Sequence, residues 1–225
     1  MGRRKGTWIQ MFVLLIGMAA LLSGCTTFDA CAYMQAILDV SYKNQTENYM
    51  EITGATQEEA DAIFQKNLDA TMHEFSTTEL PEDLEADYRL LFEDTVKQVK
   101  YTVGEAAEEE NHGYTVEVSV EPILLFDDTY EEFQDKTEEY ASEISNNVMN
   151  GEEMPSDDEI QNQVYLTYYE VLKEGLNAGL TYGDARKITV HINRTEDGSY
   201  EIPDEDLRAI DQAMISQEKL MTAQK

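Results

Sequence analysis

The chain has 225 residues, 42% of them hydrophobic and 13 of them tyrosine, and it carries 46 acidic against 16 basic side chains, a formal charge of −30. That length supports one good core or at most two small ones, and the apolar content points to a folded body, not a disordered tail. A field of this sign repels phosphate backbones and anionic head groups and attracts cations and basic proteins or peptides, so no nucleic-acid partner is expected.

Arg3, Arg4 and Lys5 form a short basic start, and Trp8 to Leu22 is then almost wholly apolar. This is the order of an export signal. The run is shorter than the roughly 20 apolar residues a spanning helix needs, so a cleaved signal is the better reading and no transmembrane span is expected in the mature protein. Leu22-Ser23-Gly24-Cys25 follows. It resembles the lipobox of bacterial lipoproteins, in which small residues admit an extended chain to a peptidase and the cysteine thiol takes up a diacylglycerol. The resemblance implies recognition through Leu22, Ser23 and Gly24, cleavage after residue 24, and lipidation of Cys25. Two acyl chains hold a protein stably where one holds it only reversibly. The expected location is the extracytoplasmic face of the cell membrane, with the lipid on Cys25 as the membrane contact. Cleavage leaves 201 residues with 13 basic and 46 acidic side chains, a charge of −33. With Cys25 acylated, Cys31 has no partner in the chain, which excludes a disulfide scaffold. Cys31 then reads as a small buried apolar residue.

Residues 25–30 form a short tether, and 31–225 read as one globular domain. A first helix is predicted from about Asp29 to Tyr49, with Cys31, Met34, Ile37, Leu38 and Tyr42 on one face. Gly54 ends it. Thr56 and Glu59 have the spacing of a capping box and open a second helix bearing Ala60, Ile63, Phe64, Leu68 and Met72. Pro81 starts a third, with Leu84, Tyr88, Leu91, Phe92 and Val96 inward. The period then changes to two: Val99, Tyr101 and Val103, a turn over 108–113, then Tyr114, Val116, Val118 and Val120, a hairpin with one buried and one wet face. Pro122 ends its ladder. Asp127 and Asp128 open a helix to about Met149. Ser156 and Glu159 form a second capping box before a helix with Ile160, Val164, Tyr168, Val171, Leu172 and Leu176, whose end at Gly175 and Gly179 reads as tapered or tightly packed. Ile188, Val190 and Ile192 begin a second hairpin, turned at Glu196-Asp197-Gly198 and returning through Tyr200 and Ile202. Asp204 opens a last helix with Leu207, Ile210, Met214 and Leu220. Helices, hairpin, helices, hairpin, helix predicts an α+β fold, with helices packed on one face of a small antiparallel sheet made of two hairpins.

No catalytic residue, metal site or cofactor is predicted. His73 lacks a second histidine at zincin spacing, His112 falls in a turn, and His191 on the wet side of its strand. The acidic groups Asp127/Asp128, Asp157/Asp158 and Asp204/Glu205/Asp206 all sit at helix starts, where carboxylates cap amides and meet the positive end of the dipole. Tyr165, Tyr168, Tyr169 and Tyr182 crowd one helix and the following loop, and are the candidate ligand pocket. Tyrosine joins an apolar ring to a polar tip and suits a pocket or an interface.

Asp29 to Phe75 and Val99 to Leu125 resemble uncharacterised lipoproteins of Gram-positive bacteria, a family without a settled activity. The residues that carry this are Leu38-Asp39 with Tyr42-Lys43, Thr56-Gln57-Glu58-Glu59-Ala60, Tyr101-Thr102-Val103-Gly104-Glu105 and Tyr114-Thr115-Val116-Glu117-Val118. With Asp197-Gly198-Ser199-Tyr200, the resemblance extends to the cystatin-like and nuclear-transport-factor-2-like fold and implies helices laid across a curved sheet. The helical region Thr129 to Gly175 departs from that simple fold. The expected function is a non-catalytic binding or interaction module at the cell envelope. The alternative is a small-ligand carrier or enzyme with a pocket between helices and sheet.

Overall fold

The computed structural model describes residues 28–75, 80, 82–110 and 112–219. Four helices come first: α1 (Ala30–Lys43), α2 (Glu47–Thr53), α3 (Gln57–Phe75) and α4 (Glu82–Val96). The hairpin β1 (Lys100–Glu108) and β2 (Tyr114–Glu121) follows, then two long helices, α5 (Leu125–Met149) and α6 (Asp157–Ala178). Strands β3 (Arg186–Arg194) and β4 (Tyr200–Glu201) and helix α7 (Asp204–Met214) complete the order. The four strands form one antiparallel sheet in the order β1-β2-β3-β4. This is the α+β class that the change of period predicts.

Alternation decides which face of the sheet is dry. Val116, Val118 and Val120 of β2 and Val190 and Ile192 of β3 are fully buried, while Glu117, Glu121, Lys187 and His191 are exposed. α1 and α7 lie on the buried face, α3 packs on α1, and α4 packs on α3. Met34, Leu38 and Val40 of α1, Phe64 of α3 and Ile210 and Met214 of α7 belong to the same core as the sheet valines.

Two predicted elements differ. The expected helix from Asp29 to Tyr49 is two helices. Asn44 sits in the left-handed region at φ 55° and its backbone N–H turns back to the Asp39 carbonyl. Asparagine reaches that conformation more readily than most side chains, so α1 stops there and α2 starts afresh. The first strand is also longer than Val99 to Val103. Val103 pairs with Val118 but Ala106 pairs with Val116, so β1 carries one extra residue in a bulge at Gly104 and Glu105. Ala106 and Ala107 have little strand preference of their own, and the ladder with β2 holds them.

The capping boxes are as predicted. Glu59 accepts from the Thr56 amide at 2.8 Å and Thr56 Oγ1 from the Glu59 amide at 3.3 Å. Ser156 and Glu159 repeat the exchange at 2.8 and 3.3 Å. These hydrogen bonds from Thr56 and Ser156 hold both glutamate carboxyls below the usual range. In the second hairpin, hydrogen bonds from Thr195 and Ser199 hold the Asp197 carboxyl at about 2, and Gly198 supplies the turn's φ of 87°.

Candidate functional site

Leu22, Ser23, Gly24 and Cys25 lie outside the described residues, as do Pro81 and Leu220. The first described residue, Phe28, is three positions beyond Cys25. Its ring stacks on Tyr200 with centroids 3.6 Å apart and packs at 5.4 Å against Tyr33 and Tyr114. Asp29 then caps α1 by accepting from the Ala32 amide at 2.9 Å. The chain is thus held to the domain from Phe28 onward, at the end of the sheet where Tyr114 pairs with Ile192.

The opposite end of the sheet carries α5 and α6. They form the connection between β2 and β3, whose ladder closes at Val120 and Arg186. With 25 and 22 residues, the helices are about 37 and 33 Å long. α5 contributes Leu125, Phe126, Asp127 and Thr129 to the interior and α6 contributes Thr167, Val171 and Leu172. From Tyr130 to Leu166 no residue is buried. The half-buried positions of α5 in this stretch, Phe133, Lys136, Thr137, Tyr140, Ile144 and Asn147, recur at helical spacing and mark one seam against α6. The outer part of α5 and α6 is therefore an antiparallel arm supported by its own seam. This is the region that departs from the simple fold in sequence.

Gly175 allows the base of the arm to close. A Cβ there would lie 2.7 Å from Thr129 Cγ2 and 2.9 Å from Leu125 Cδ1. The Thr129 side chain cannot swing away freely, because its hydroxyl donates to the Leu125 carbonyl at 2.7 Å. Replacing a helical glycine with a better helix former gains up to about 1 kcal/mol, whereas overpacking costs about 1–3 kcal/mol. Gly175→Val adds more bulk at a β-branched position, so the clash wins. The variant is expected to lower the urea midpoint and to speed amide exchange in α5 and α6 ahead of the sheet. Uniform exchange would contradict a locally sprung arm.

The candidate pocket tyrosines do not act as one set. Tyr168 packs at 6.4 Å on Phe126 and 4.5 Å on Phe133, Tyr169 lies edge-on to Tyr88 at 5.4 Å, and the Tyr165 carbonyl accepts from the Tyr88 hydroxyl at 2.7 Å. Tyr165 and Tyr169 thus join α6 to α4 through Tyr88, while Tyr168 packs on α5. Tyr182 has other partners: its hydroxyl donates to the Gln98 carbonyl at 2.8 Å and Lys100 sits 3.6 Å over its ring. A groove of about 350 Å³ lies elsewhere, lined by Ala32, Gln35, Asn48, Glu51 and Ile52 of α1 and α2.

A polar cluster that the periodicity did not reveal lies inside the core. The Tyr42 hydroxyl donates to Asp211 of α7, and the Tyr101 hydroxyl donates to Asp39 at 2.5 Å. Asp39 also accepts from the Gln35 amide at 3.0 Å. Both carboxylates are buried, so hydrogen bonds replace the water they lose. Burial, and then the charge of Asp211, push the Tyr42 phenol well above its ordinary range. The signal was present in sequence, since Asp39 and Asp211 interrupt the apolar faces of their helices. The arrangement ties α1 to β1 and α7; its Tyr42–Asp211 contact is buried, while Gln35 and Tyr101 beside Asp39 are half-buried.

The helix-start acids lie in the first turns of α5, α6 and α7, as expected, but three of them also reach across the fold. Asp127 accepts from the Lys219 amide at 2.9 Å, Asp128 from the Thr181 hydroxyl, and Asp206 from the His191 amide at 2.7 Å and ring at 2.9 Å. Their side-chain bonds join other segments to the starts of α5 and α7, and no side-chain cap bond is made at the N-cap residues Leu124 and Pro203. His191 faces water as predicted, with Asp206 against it. His73 and His112 are exposed. Cys31 is only half-buried, with its thiol donating to the Gly104 carbonyl in the β1 bulge at 3.2 Å. Among the described residues no group of three His, Cys, Asp or Glu side chains could hold a metal ion, and no helix is long and apolar enough to cross a membrane.

No family model matches the chain, and no curated protein matches it. Among solved structures it is similar to ycdA of Bacillus subtilis, a protein named as a lipoprotein. The TM-score is 0.56 at 16% identity, over 84% of this chain and 56% of that one. The likeness is one of fold, and this chain spans little more than half the length of the ycdA chain.

Proposed function

We propose that this chain is a lipid-anchored interaction module on the extracytoplasmic face of the cell membrane, cut before Cys25, acylated on its thiol, and folded as one domain that starts at Phe28, inside the tether of residues 25–30 expected from sequence. The observation that carries the reading is the placement of Phe28. Three residues span at most roughly 10 Å, so an acylated Cys25 holds the Phe28 end of the sheet against the bilayer. The α5–α6 arm leaves from the other end of β2. Eight strand residues put about 23 Å between the two ends, and the arm base therefore lies on the membrane-distal side. The fold shared with a protein named as a lipoprotein supports the same reading. α1 laid across the sheet is the feature that favours a cystatin-like relation. The chain's negative charge repels anionic head groups, so attachment rests on the acyl chains. In this reading the module works by contact.

The test is metabolic labelling with a fatty acid followed by fractionation. The wild type is expected as a labelled, processed protein in the membrane fraction, and Cys25→Ala as an unlabelled precursor. A wild-type product with a free thiol in the soluble fraction would falsify the proposal.

A further inference from the structure

We infer that the outer part of the α5–α6 arm is the docking surface of this module, and that its partner is a protein segment forming a basic amphipathic helix. This rests on the interaction-module reading above and names the class of partner. Three observations converge. The first is the uncovered helix pair. No residue between Tyr130 and Leu166 is buried; the contacts of this stretch with other elements are at its base, Tyr165 with Tyr88 of α4 and Glu131 with Lys219, and a helix pair with an exposed surface beyond them can take a third helix. The second is apolar exposure. Among the described residues five large apolar side chains are exposed, and four are on the arm: Val148, Met149, Met154 and Leu166. Met149 and Met154, at 74% and 62% exposure, flank the turn at the tip. Methionine adapts its shape to a partner and is favoured at such surfaces. The third is charge. Between Tyr130 and Leu166 the chain has eleven carboxylates and one lysine. Glu131 is paired with Lys219 and Glu132 with Lys136. A basic helix with one apolar face matches both properties. A helix of about 20 residues also matches the roughly 28 Å between Tyr130 and Met149.

The same charge selects against the other occupants. A second copy would bring eleven further carboxylates to the surface, and an anionic lipid would bring phosphate, both repelled. The arm also leaves the sheet at the end away from the expected anchor.

The experiment uses the processed lipoprotein in phosphatidylcholine vesicles and a fluorescent peptide of about 20 residues, with leucine on one face of its helix and lysine on the other. Binding is read by anisotropy for the wild type and three variants in the same vesicles, so partition into lipid cancels in the comparison. Substitutions of exposed side chains leave the fold intact. The double variant M149S/M154S and the triple variant E138K/E139K/E143K are each expected to weaken binding by about tenfold or more, equivalent to at least about 1.4 kcal/mol. The control E58K/E205K, exposed sites on α3 and α7, is expected to change it by less than about twofold. Equal weakening by the control and the arm variants would reduce the effect to net charge and overturn the inference. So would self-association of the wild type that M149S/M154S abolishes, or protection of the tip by anionic vesicles without peptide. None of these outcomes touches the anchor, which the fate of Cys25→Ala decides separately.

Discussion

Tyr88→Ala is expected to destabilise the protein by about 3–5 kcal/mol, the range for removing a buried aromatic side chain. Total stabilities are about 5–15 kcal/mol, so this one truncation removes a large share. Tyr88 has no exposed surface. Its ring lies 5.7 Å from Phe92 and 5.4 Å from Tyr169, and its hydroxyl reaches the Tyr165 carbonyl at 2.7 Å. It is the wedge through which α4 holds α6. Tyr88→Phe keeps the ring and loses the hydroxyl bond, so its expected cost is about 1 kcal/mol. The single tryptophan, Trp8, belongs to the predicted signal, so unfolding in urea is better followed by circular dichroism than by tryptophan emission. Equal losses for the two variants would mean that the ring packing contributes little and that the hydroxyl bond to Tyr165 carries the contact.

The second large effect is loss of the fold in alkali. Burial is the first cause that pushes the phenols of Tyr33, Tyr42, Tyr88, Tyr101 and Tyr168 above their ordinary range. For Tyr42 the charge of Asp211 adds to it, and for Tyr101 the hydrogen bond and charge of Asp39 do. In the unfolded chain these phenols ionise near pH 10. Above that pH the folded state retains protons that the unfolded state has shed, and stability falls as pH rises. The contribution is fully present below about pH 10 and is lost progressively toward the higher folded values. Tyrosinate absorbance and circular dichroism are expected to change together in one steep transition, several phenols titrating only as the core opens. Titration of all 13 tyrosines near pH 10 with the dichroism unchanged would mean that the phenols already face water.

Much of this fold was legible because its signals are local. Thr56 with Glu59 and Ser156 with Glu159 announce helix starts, since cap and amide are three residues apart. The alternation from Tyr114 to Val120 assigns β2 and its dry face, because side chains on a strand point alternately to its two sides. Gly175 could be read as a point of close approach, although not what approaches it. The misreadings share one cause. Asn44 ends α1 by adopting a backbone conformation that the apolar spacing on either side does not record. Ala106 and Ala107 are strand residues only through their ladder with β2. Asp127, Asp128 and Asp206 do stand in first helical turns, but they also bind Lys219, Thr181 and His191, partners that helix-start logic does not consider. The tyrosines of α6 looked like one group with Tyr182, because sequence proximity was the only distance available.

By itself the sequence determined the strongly negative surface, the change of period from helix to strand, and the expectation of lipid on Cys25. Each rests on residue composition or on residues within a few positions of one another. Only the tertiary structure decided that Phe28 stacks on Tyr200, that Tyr42 shares a proton contact with a carboxylate 169 positions away, and that the α5–α6 arm stands with its outer half uncovered. Periodicity records which side of an element is apolar. Which elements come to lie on that side, and where nothing does, depends on chain closures over more than a hundred residues that no local pattern encodes.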